Sequence, residues 1–201
     1  MTFEEAISFL TSASPLRITV SGDIGSGKST FAKRLAETLN IPRIYAGQIM
    51  REEAARRGMT LQAFNDLLLT DDAVDRQVDE LQLDKSKEID RGVFEGRLAW
   101  HFNVNPDAKV FFTVDPMTGA ERVFNDTGNT LRDKVSSVEE AAQENATRKI
   151  NEEKRYHDYY GISAYDRNNF DVVVDTSDVD QEGAFKNGVI AIAEFVKRAR
   201  S

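Results

Sequence analysis

Short apolar runs alternate with longer segments of helical periodicity along the 201-residue chain. β-Branched and aromatic residues dominate the runs at residues 17–21, 93–95, 110–114 and 172–175, which predicts four buried strands. A weaker run at residues 43–46 predicts a fifth strand. Continuous apolar strands that alternate with helices form parallel sheets covered on both faces. We therefore predict a three-layer α/β fold around a five-stranded parallel sheet.

Helical patterns flank this sheet at both ends of the chain. Thr2 and Glu5 fit a capping box, which predicts an N-terminal helix that packs beside the core. Asp178 predicts the start of a final helix, whose apolar side chains close the core. Residues 47–88 are almost wholly helical in pattern, which predicts a helical insert between the second and third strands.

A polar region precedes the last predicted strand. Residues 126–136 are polar and contain glycine, which predicts a mobile loop. Ser137 and Glu140 fit a capping box that opens a charged helix ending near Tyr160. We predict that this loop and helix together form a lid.

The composition excludes several classes of protein. The formal net charge is −8, so we expect no attraction to nucleic acid or to an anionic membrane. The absence of cysteine excludes disulfides, thiolate metal sites and cysteine nucleophiles. Glu4 and Glu5 stand where a signal peptide carries basic residues, and no apolar run approaches the roughly 20 residues that span a bilayer. We expect a cytoplasmic, single-domain monomer.

A phosphate-binding motif lies between the first predicted strand and the following helix. Residues 22–29, GDIGSGKS, match the pattern G-x-x-x-x-G-K-[ST] in the strand–turn–helix context that supports such a match. Glycines let backbone N–H groups turn toward a phosphate, Lys28 reaches the β- and γ-phosphates, and the Ser29 hydroxyl binds Mg²⁺. The alternative is a glycine-rich turn with an exposed lysine. The predicted ATP-binding residues of this segment are Gly22, Asp23, Ile24, Gly25, Ser26, Gly27, Lys28, Ser29 and Thr30.

The motif alone does not distinguish a kinase from an ATPase or a GTPase. The chain has no [NT]-K-x-D segment, which disfavours a GTPase, and it is too small for a mechanical ATPase. Residues elsewhere in the sequence must therefore identify the acceptor.

Three residues near strand ends are candidates for an acceptor site. Arg51 follows the second strand by one helical turn, near the sheet edge where doubly wound folds bind ligands, and its planar guanidinium suits a phosphate. Alternatively, Arg51 is a solvated helix arginine paired with neighbouring acids. Glu95 and Arg97 close the third strand, where P-loop kinases hold an acid near Mg²⁺ and a contact to the acceptor phosphate. A simple ion pair between Glu95 and Arg97 is the alternative.

One face of the charged helix carries a further group of candidates. Arg148, Glu152 and Arg155 have the spacing i, i+4 and i+7, which places them on one face. They are able to close together over phosphates from there. Alternatively, they belong to an exposed helix with ion pairs, among which Lys149, Glu153 and Lys154 are interleaved.

These motifs resemble the cytidylate kinase family, in particular its short archaeal-type branch, over nearly the whole chain after the first helix. The most specific matches are AG-x-I-x-R at residues 46–51, EGR at residues 95–97 and R-x₃-E-x₂-R at residues 148–155. One departure is that archaeal-type relatives often lack the P-loop lysine, whereas this chain has Lys28. The similar segments are ITVSGDIGSGKST, YAGQIMREEAARRGMTLQAF, VDRQVDE, VFEGRLAW, TRKINEEKRYHDYYGI and YDRNNFDVVVDTS.

The resemblance implies a P-loop nucleoside monophosphate kinase that transfers the γ-phosphoryl group of ATP, with Mg²⁺, to CMP or dCMP. The implied parts of this single domain are a core at 15–46, 90–126 and 170–201, an acceptor-binding helical insert at 47–89 and a lid at 127–160. The implied roles are acceptor binding by Gly47, Arg51, Glu95, Arg97 and Glu152; catalysis by Lys28, Arg148 and Arg155; ATP adenine contact by Arg122; and Mg²⁺ binding by Ser29 and, through water, by Glu95. A kinase for another nucleotide or a metabolite hydroxyl, and a non-catalytic ATP-binding regulatory protein, are the alternatives.

Overall fold

Five parallel strands form one sheet in the order β2-β3-β1-β4-β5, which confirms the predicted fold class. The computed structural model describes residues 1–60, 63–64, 67, 72–126 and 135–201, with the backbone alone for residues 72–75, 78 and 79. Observed strands begin one or two residues before some predicted ones, because backbone pairing continues past the apolar run, as where Leu16 pairs with Arg91. The strands are β1 (Leu16–Gly22), β2 (Arg43–Tyr45), β3 (Arg91–Glu95), β4 (Ala108–Thr113) and β5 (Val172–Asp175).

The sheet is accompanied by helices that follow most of the predicted patterns. The last helix begins at Gln181 and not at Asp178, because the Asp180 side chain accepts a hydrogen bond from the backbone N–H of Gly183 at 2.7 Å and caps the helix there. Among the described residues, no helix has the length and apolar character needed to cross a membrane. The helices are α1 (Phe3–Ser12), α2 (Lys28–Leu39), α3 (Ala46–Arg56), α4 (Asp72–Glu88), α5 (Pro116–Phe124), α6 (Val138–Tyr160) and α7 (Gln181–Ala199).

The centre of the core lies under β1. Ile18 and Val20 of this strand are fully buried, as expected for the middle strand of a sheet covered on both faces. The Phe31 ring of α2 lies 4.5 Å from that of Phe112 in β4 and 5.7 Å from that of Phe185 in α7. This packing fixes α2 on the sheet and gives the loop between β1 and α2 a rigid base.

The N-terminal helix packs beside this core, as predicted. Both halves of the capping box between Thr2 and Glu5 are present. Ala6 and Leu10 are fully buried. The amino group of Met1 forms an ion pair of 2.8 Å with a glutamate of α7, so α1 is held at both its apolar face and its start.

The charged helix α6 begins where the sequence predicts, but only one of the two hydrogen bonds of the predicted capping box forms. The Ser137 hydroxyl accepts from the backbone N–H of Glu140 at 3.2 Å, while the Glu140 carboxylate accepts from Ser136 instead of returning to Ser137. Most of the predicted loop, residues 127–134, lies outside the described residues. The division of the chain into core, insert and lid therefore stays a prediction.

Candidate active site

The P-loop leaves β1 at the carboxyl edge of the sheet and runs directly into α2. Gly25 and Gly27 have φ values of 80° and 78°, in the left-handed region that favours glycine. A Cβ on Gly25 would lie 2.2 Å from the carbonyl oxygen of Gly119 in α5, so only glycine fits at this position of the loop. Gly27 is the N-cap of α2 and has no side chain to bond the first amides of the helix. Those amides, with the positive end of the helix dipole, form a site for an anion.

Two side chains fasten the underside of this loop. The Thr176 hydroxyl donates toward the carbonyl of Ser26 at 3.2 Å, and Arg122 donates to that hydroxyl at 3.0 Å and to the Thr176 carbonyl at 2.6 Å. Arg122 also lies 3.5 Å from the carbonyl of Gly25. Arg122 therefore lies beneath the P-loop with much of its donor capacity used, and its contact with an adenine stays a prediction.

Lys28, Arg97 and Arg148 bring positive charge to one space above the loop. Burial and the neighbouring charge of Arg97 lower the pKa of Lys28 from 10.5 to about 7, and Arg148 acts in the same direction. Glu95 and Glu152 partly oppose this shift. Arg97 and Arg148 both disfavour the charged form of Lys28, and an anion bound among the three side chains would relieve that repulsion.

Glu152 holds two of these cations in place. Arg97 and Arg148 each donate through Nε to its carboxylate at 2.8 Å, and the Tyr165 hydroxyl is a third donor. Burial raises the pKa of Glu152, but the opposing effects of Arg97, Tyr165 and Arg148 are larger and lower it to about 2. Arg97 also donates to the carbonyl of Gly22 at 2.8 Å, which connects α6 to the first turn of the P-loop. We call Arg97, Arg148, Glu152 and Tyr165 the Glu152 cluster.

The face of α6 that carries Arg148, Glu152 and Arg155 lines a cleft of about 710 Å³. The predicted spacing therefore places the three side chains together. Arg155 also donates to the hydroxyl of Tyr156 at 3.0 Å. An exposed helix with ion pairs only along its own surface does not account for this face, because Glu152 is 8% exposed and binds Arg97, which lies outside α6. The remaining lining residues described are Glu140, Gln143, Glu144, Thr147 and Asn151.

Ser29 and Glu95 lie side by side at the start of α2. The Ser29 hydroxyl donates to one carboxylate oxygen of Glu95, and Arg43 donates to the other. Among the described residues, no group of three or more acidic or histidine side chains forms a metal cage. A hydroxyl beside one carboxylate fits Mg²⁺, because this ion prefers oxygen ligands and is commonly held by few protein groups together with substrate phosphates and water.

Arg51 does not pair with the acids of its own helix within the described contacts. It donates instead to the hydroxyl of Tyr45, the last residue of β2, and its guanidinium lies 5.4 Å from the centre of the Tyr45 ring. A Cβ on Gly47 would lie 3.3 Å from the Tyr45 ring and 4.0 Å from Arg51. Gly47 thus leaves room for the pair, and the acceptor roles of Gly47 and Arg51 stay predictions.

The chain also matches known proteins over most of its length. The model of the Cytidylate kinase-like family matches residues 17–178. The chain belongs to this family. The resemblance seen in the sequence is thereby confirmed.

Individual members of the cytidylate kinase-like family show the extent of the similarity. A cytidylate kinase from Pyrococcus furiosus is 39% identical over 170 residues, which cover 85% of this chain and 84% of that protein. A cytidylate kinase from Methanocella arvoryzae is 36% identical over 180 residues, covering 90% and 98%.

Solved structures share the fold at lower sequence identity. An uncharacterised protein from Eubacterium ventriosum superposes with a TM-score of 0.65 and 20% identity over 89% of this chain and 98% of its own. A shikimate kinase from Bacteroides thetaiotaomicron superposes with a TM-score of 0.58 and 16% identity over 92% and 99%. At these identities the structures support the P-loop kinase fold and not a substrate.

Four side chains that contact the candidate site of this family member were not predicted from the sequence. Arg43 and Tyr45 come from β2, and Tyr165 comes from the segment before β5. Lys149 binds Asp23 of the P-loop at 2.8 Å, although its position among helix charges indicated only a solvated face. A signal existed for Tyr45, Lys149 and Tyr165, because each lies in a segment that matches the family, but it did not mark them within those segments, and Arg43 lies outside all of them.

Proposed function

We propose that this protein transfers the γ-phosphoryl group of ATP to CMP or dCMP, giving ADP and the nucleoside diphosphate. The observation that carries the proposal is the convergence of Lys28, Arg97 and Arg148 above the P-loop, with Arg97 and Arg148 both held by Glu152. One anion among these cations is the donor phosphate chain, and a second is the acceptor phosphate. The curated relatives named cytidylate kinase support the choice of acceptor.

The reaction needs little from a general base. An oxygen of the acceptor phosphate, already anionic, attacks the γ-phosphorus in line, while the bond from that phosphorus to the β–γ bridging oxygen breaks and ADP leaves with the electron pair. The protein contributes position and charge. P-loop amides and Lys28 hold the donor, Arg51 and Arg97 hold the acceptor, and Arg148 and Arg155 stabilise the charge that spreads over the transferred group.

Magnesium completes the donor side. Ser29 would hold Mg²⁺ directly and Glu95 through water, and the ion would supply positive charge that offsets the negative charge of the ATP phosphates.

The contacts of Glu95 favour this function over a kinase that acts on a metabolite hydroxyl. A hydroxyl acceptor must lose a proton, and Glu95 is the acid best placed to take it. Both of its carboxylate oxygens already accept hydrogen bonds, one from Ser29 and one from Arg43. Glu95 is therefore occupied in holding Ser29 and Arg43, which fits a role beside the metal better than that of a general base.

A panel assay tests the proposal. Purified protein with Mg·ATP is offered CMP, dCMP, UMP, AMP and GMP in turn, and ADP release is followed together with the nucleoside diphosphate formed. We expect the highest kcat/KM for CMP or dCMP and no turnover in a Lys28→Ala control. Tight ATP binding without transfer to any acceptor would instead identify a regulatory protein.

A further inference from the structure

A line of contacts connects Ser29, on the donor side, with Arg51, on the proposed acceptor side. Glu95 accepts from Ser29 through one oxygen and from Arg43 through the other, with Arg43 Nε at 2.9 Å and Nη2 at 2.5 Å. The Arg43 guanidinium lies 4.3 Å from the centre of the Tyr45 ring. The Tyr45 hydroxyl in turn accepts from Arg51. We call this set of five side chains the β2 relay.

The backbone of β2 places the two middle members of the relay. Arg43 and Tyr45 are two residues apart on a strand, so their side chains point to the same face. The parallel pairing of β2 with β3 sets Tyr45 opposite Glu95. The lack of a side chain on Gly47 leaves space for the Tyr45 ring. The sheet therefore places the middle of the relay, and Ser29 and Arg51 at its two ends face the proposed substrates.

Each contact in the relay restricts its neighbour. Glu95 is 8% exposed, and a charge with so little water must keep its partners. The Arg43 guanidinium is planar, so its two contacts with Glu95 fix how it lies over the Tyr45 ring. The Tyr45 hydroxyl then accepts one N–H of Arg51, and within the contacts of the described residues the guanidinium keeps further donors for an anion.

We propose that Arg43 and Tyr45 are positioning residues that couple nucleotide binding at Ser29 to acceptor-phosphate binding at Arg51. This inference rests on the proposed function and adds a pathway between its two substrates. A donor that engages Ser29 fixes Glu95, and the relay presents Arg51 in one orientation, which lowers the entropy cost of binding the acceptor. By linkage, each substrate tightens the binding of the other by the same factor.

Two variants interrupt the relay without removing a proposed substrate ligand. Tyr45→Phe keeps the ring and removes the oxygen that Arg51 binds. Arg43→Lys keeps the charge and removes the planar group that lies over the ring. As a matched control, Arg17→Lys changes an arginine that binds Asp90 at 2.9 Å, at the amino end of β1 and so at the opposite end of this strand from the P-loop.

The measurement is the Kd of CMP by isothermal titration, with and without a magnesium-loaded, non-hydrolysable ATP analogue. We expect the analogue to tighten CMP binding by about fivefold or more in the wild type and in Arg17→Lys, and by less than about twofold in Tyr45→Phe and Arg43→Lys. Equal tightening in the wild type and both relay variants would overturn the inference, as would no tightening in the wild type.

The proposed function and the relay fail in different ways. A wild-type protein that neither binds nor phosphorylates CMP would refute the function itself. A wild type that phosphorylates CMP, with relay variants that keep the full coupling factor, would refute the relay alone. Circular dichroism and thermal melting check that the variants fold, and if Arg43→Lys does not, Tyr45→Phe decides the question.

Discussion

Replacing Glu152 by glutamine tests the electrostatics of the Glu152 cluster. The substitution keeps the size of the side chain and removes the charge that faces Arg97 and Arg148, both at 2.8 Å. It leaves two guanidinium groups near each other without their shared counter-ion. Removing one partner of a buried ion pair costs about 3–5 kcal/mol, so we expect a large loss of stability at neutral pH.

The pKa of Glu152 gives an independent value for the same loss. It falls from 4.5 to about 2 on folding, and each pKa unit corresponds to about 1.4 kcal/mol. The ionised carboxylate therefore contributes about 3 kcal/mol at pH 7. Because the folded-state pKa is lowered, this contribution is full above pH 4.5 and is lost as the pH falls toward 2. At pH 3 about 1.4 kcal/mol of it is left.

Urea unfolding of the wild type and Glu152→Gln, at pH 7 and at successively lower pH, measures this difference. We expect a gap of about 3 kcal/mol at pH 7, or a melting temperature lower by about 6–12 °C, and a gap that narrows below pH 4.5. Glu121→Gln, an exposed site on α5, is the control and should change stability by less than about 0.5 kcal/mol. A gap that is small at pH 7, or that does not change with pH, would refute the reasoning.

Four further predictions concern individual residues of the site. Burial and Arg97 lower the pKa of Lys28 to about 7, so above pH 7 ATP binding should be accompanied by proton uptake and should weaken as the pH rises. Titration calorimetry in buffers of different ionisation enthalpy measures this uptake, and an absence of proton uptake at pH 8 would contradict the role of Lys28. Gly25→Ala should lower the free energy of unfolding by about 2 kcal/mol or more and abolish ATP binding, because its Cβ would lie 2.2 Å from a carbonyl oxygen. Gly58→Ala has a similar φ but open space around its Cβ, so urea unfolding and ATP titration should show a loss of about 1 kcal/mol with ATP binding kept. Arg155→Ala should lower kcat by about 10³-fold with ATP affinity retained. Arg51→Ala should mainly raise the KM of the acceptor, and steady-state kinetics that show either variant unchanged would remove that residue from the site.

The parts of the site that were predicted are those whose residues lie close together in the sequence. The P-loop was predicted because residues 22–29 are contiguous and lie between a strand and a helix. The pair Arg148 and Glu152 was predicted because helical spacing alone brings i and i+4 together. The five-stranded parallel sheet followed from runs of apolar residues, whose burial depends mainly on composition over short windows.

The sequence by itself determined the elements, the phosphate-binding loop and the family, because local hydrogen bonding and the burial of one face leave periodic patterns in the chain. Only the tertiary structure decided which side chains of different elements meet. Arg43 pairs with Glu95 across 52 positions, and Lys149 pairs with Asp23 across 126. Such contacts depend on strand order and on how α6 packs over the sheet, and neither the order nor the packing leaves a spacing that can be read along the chain.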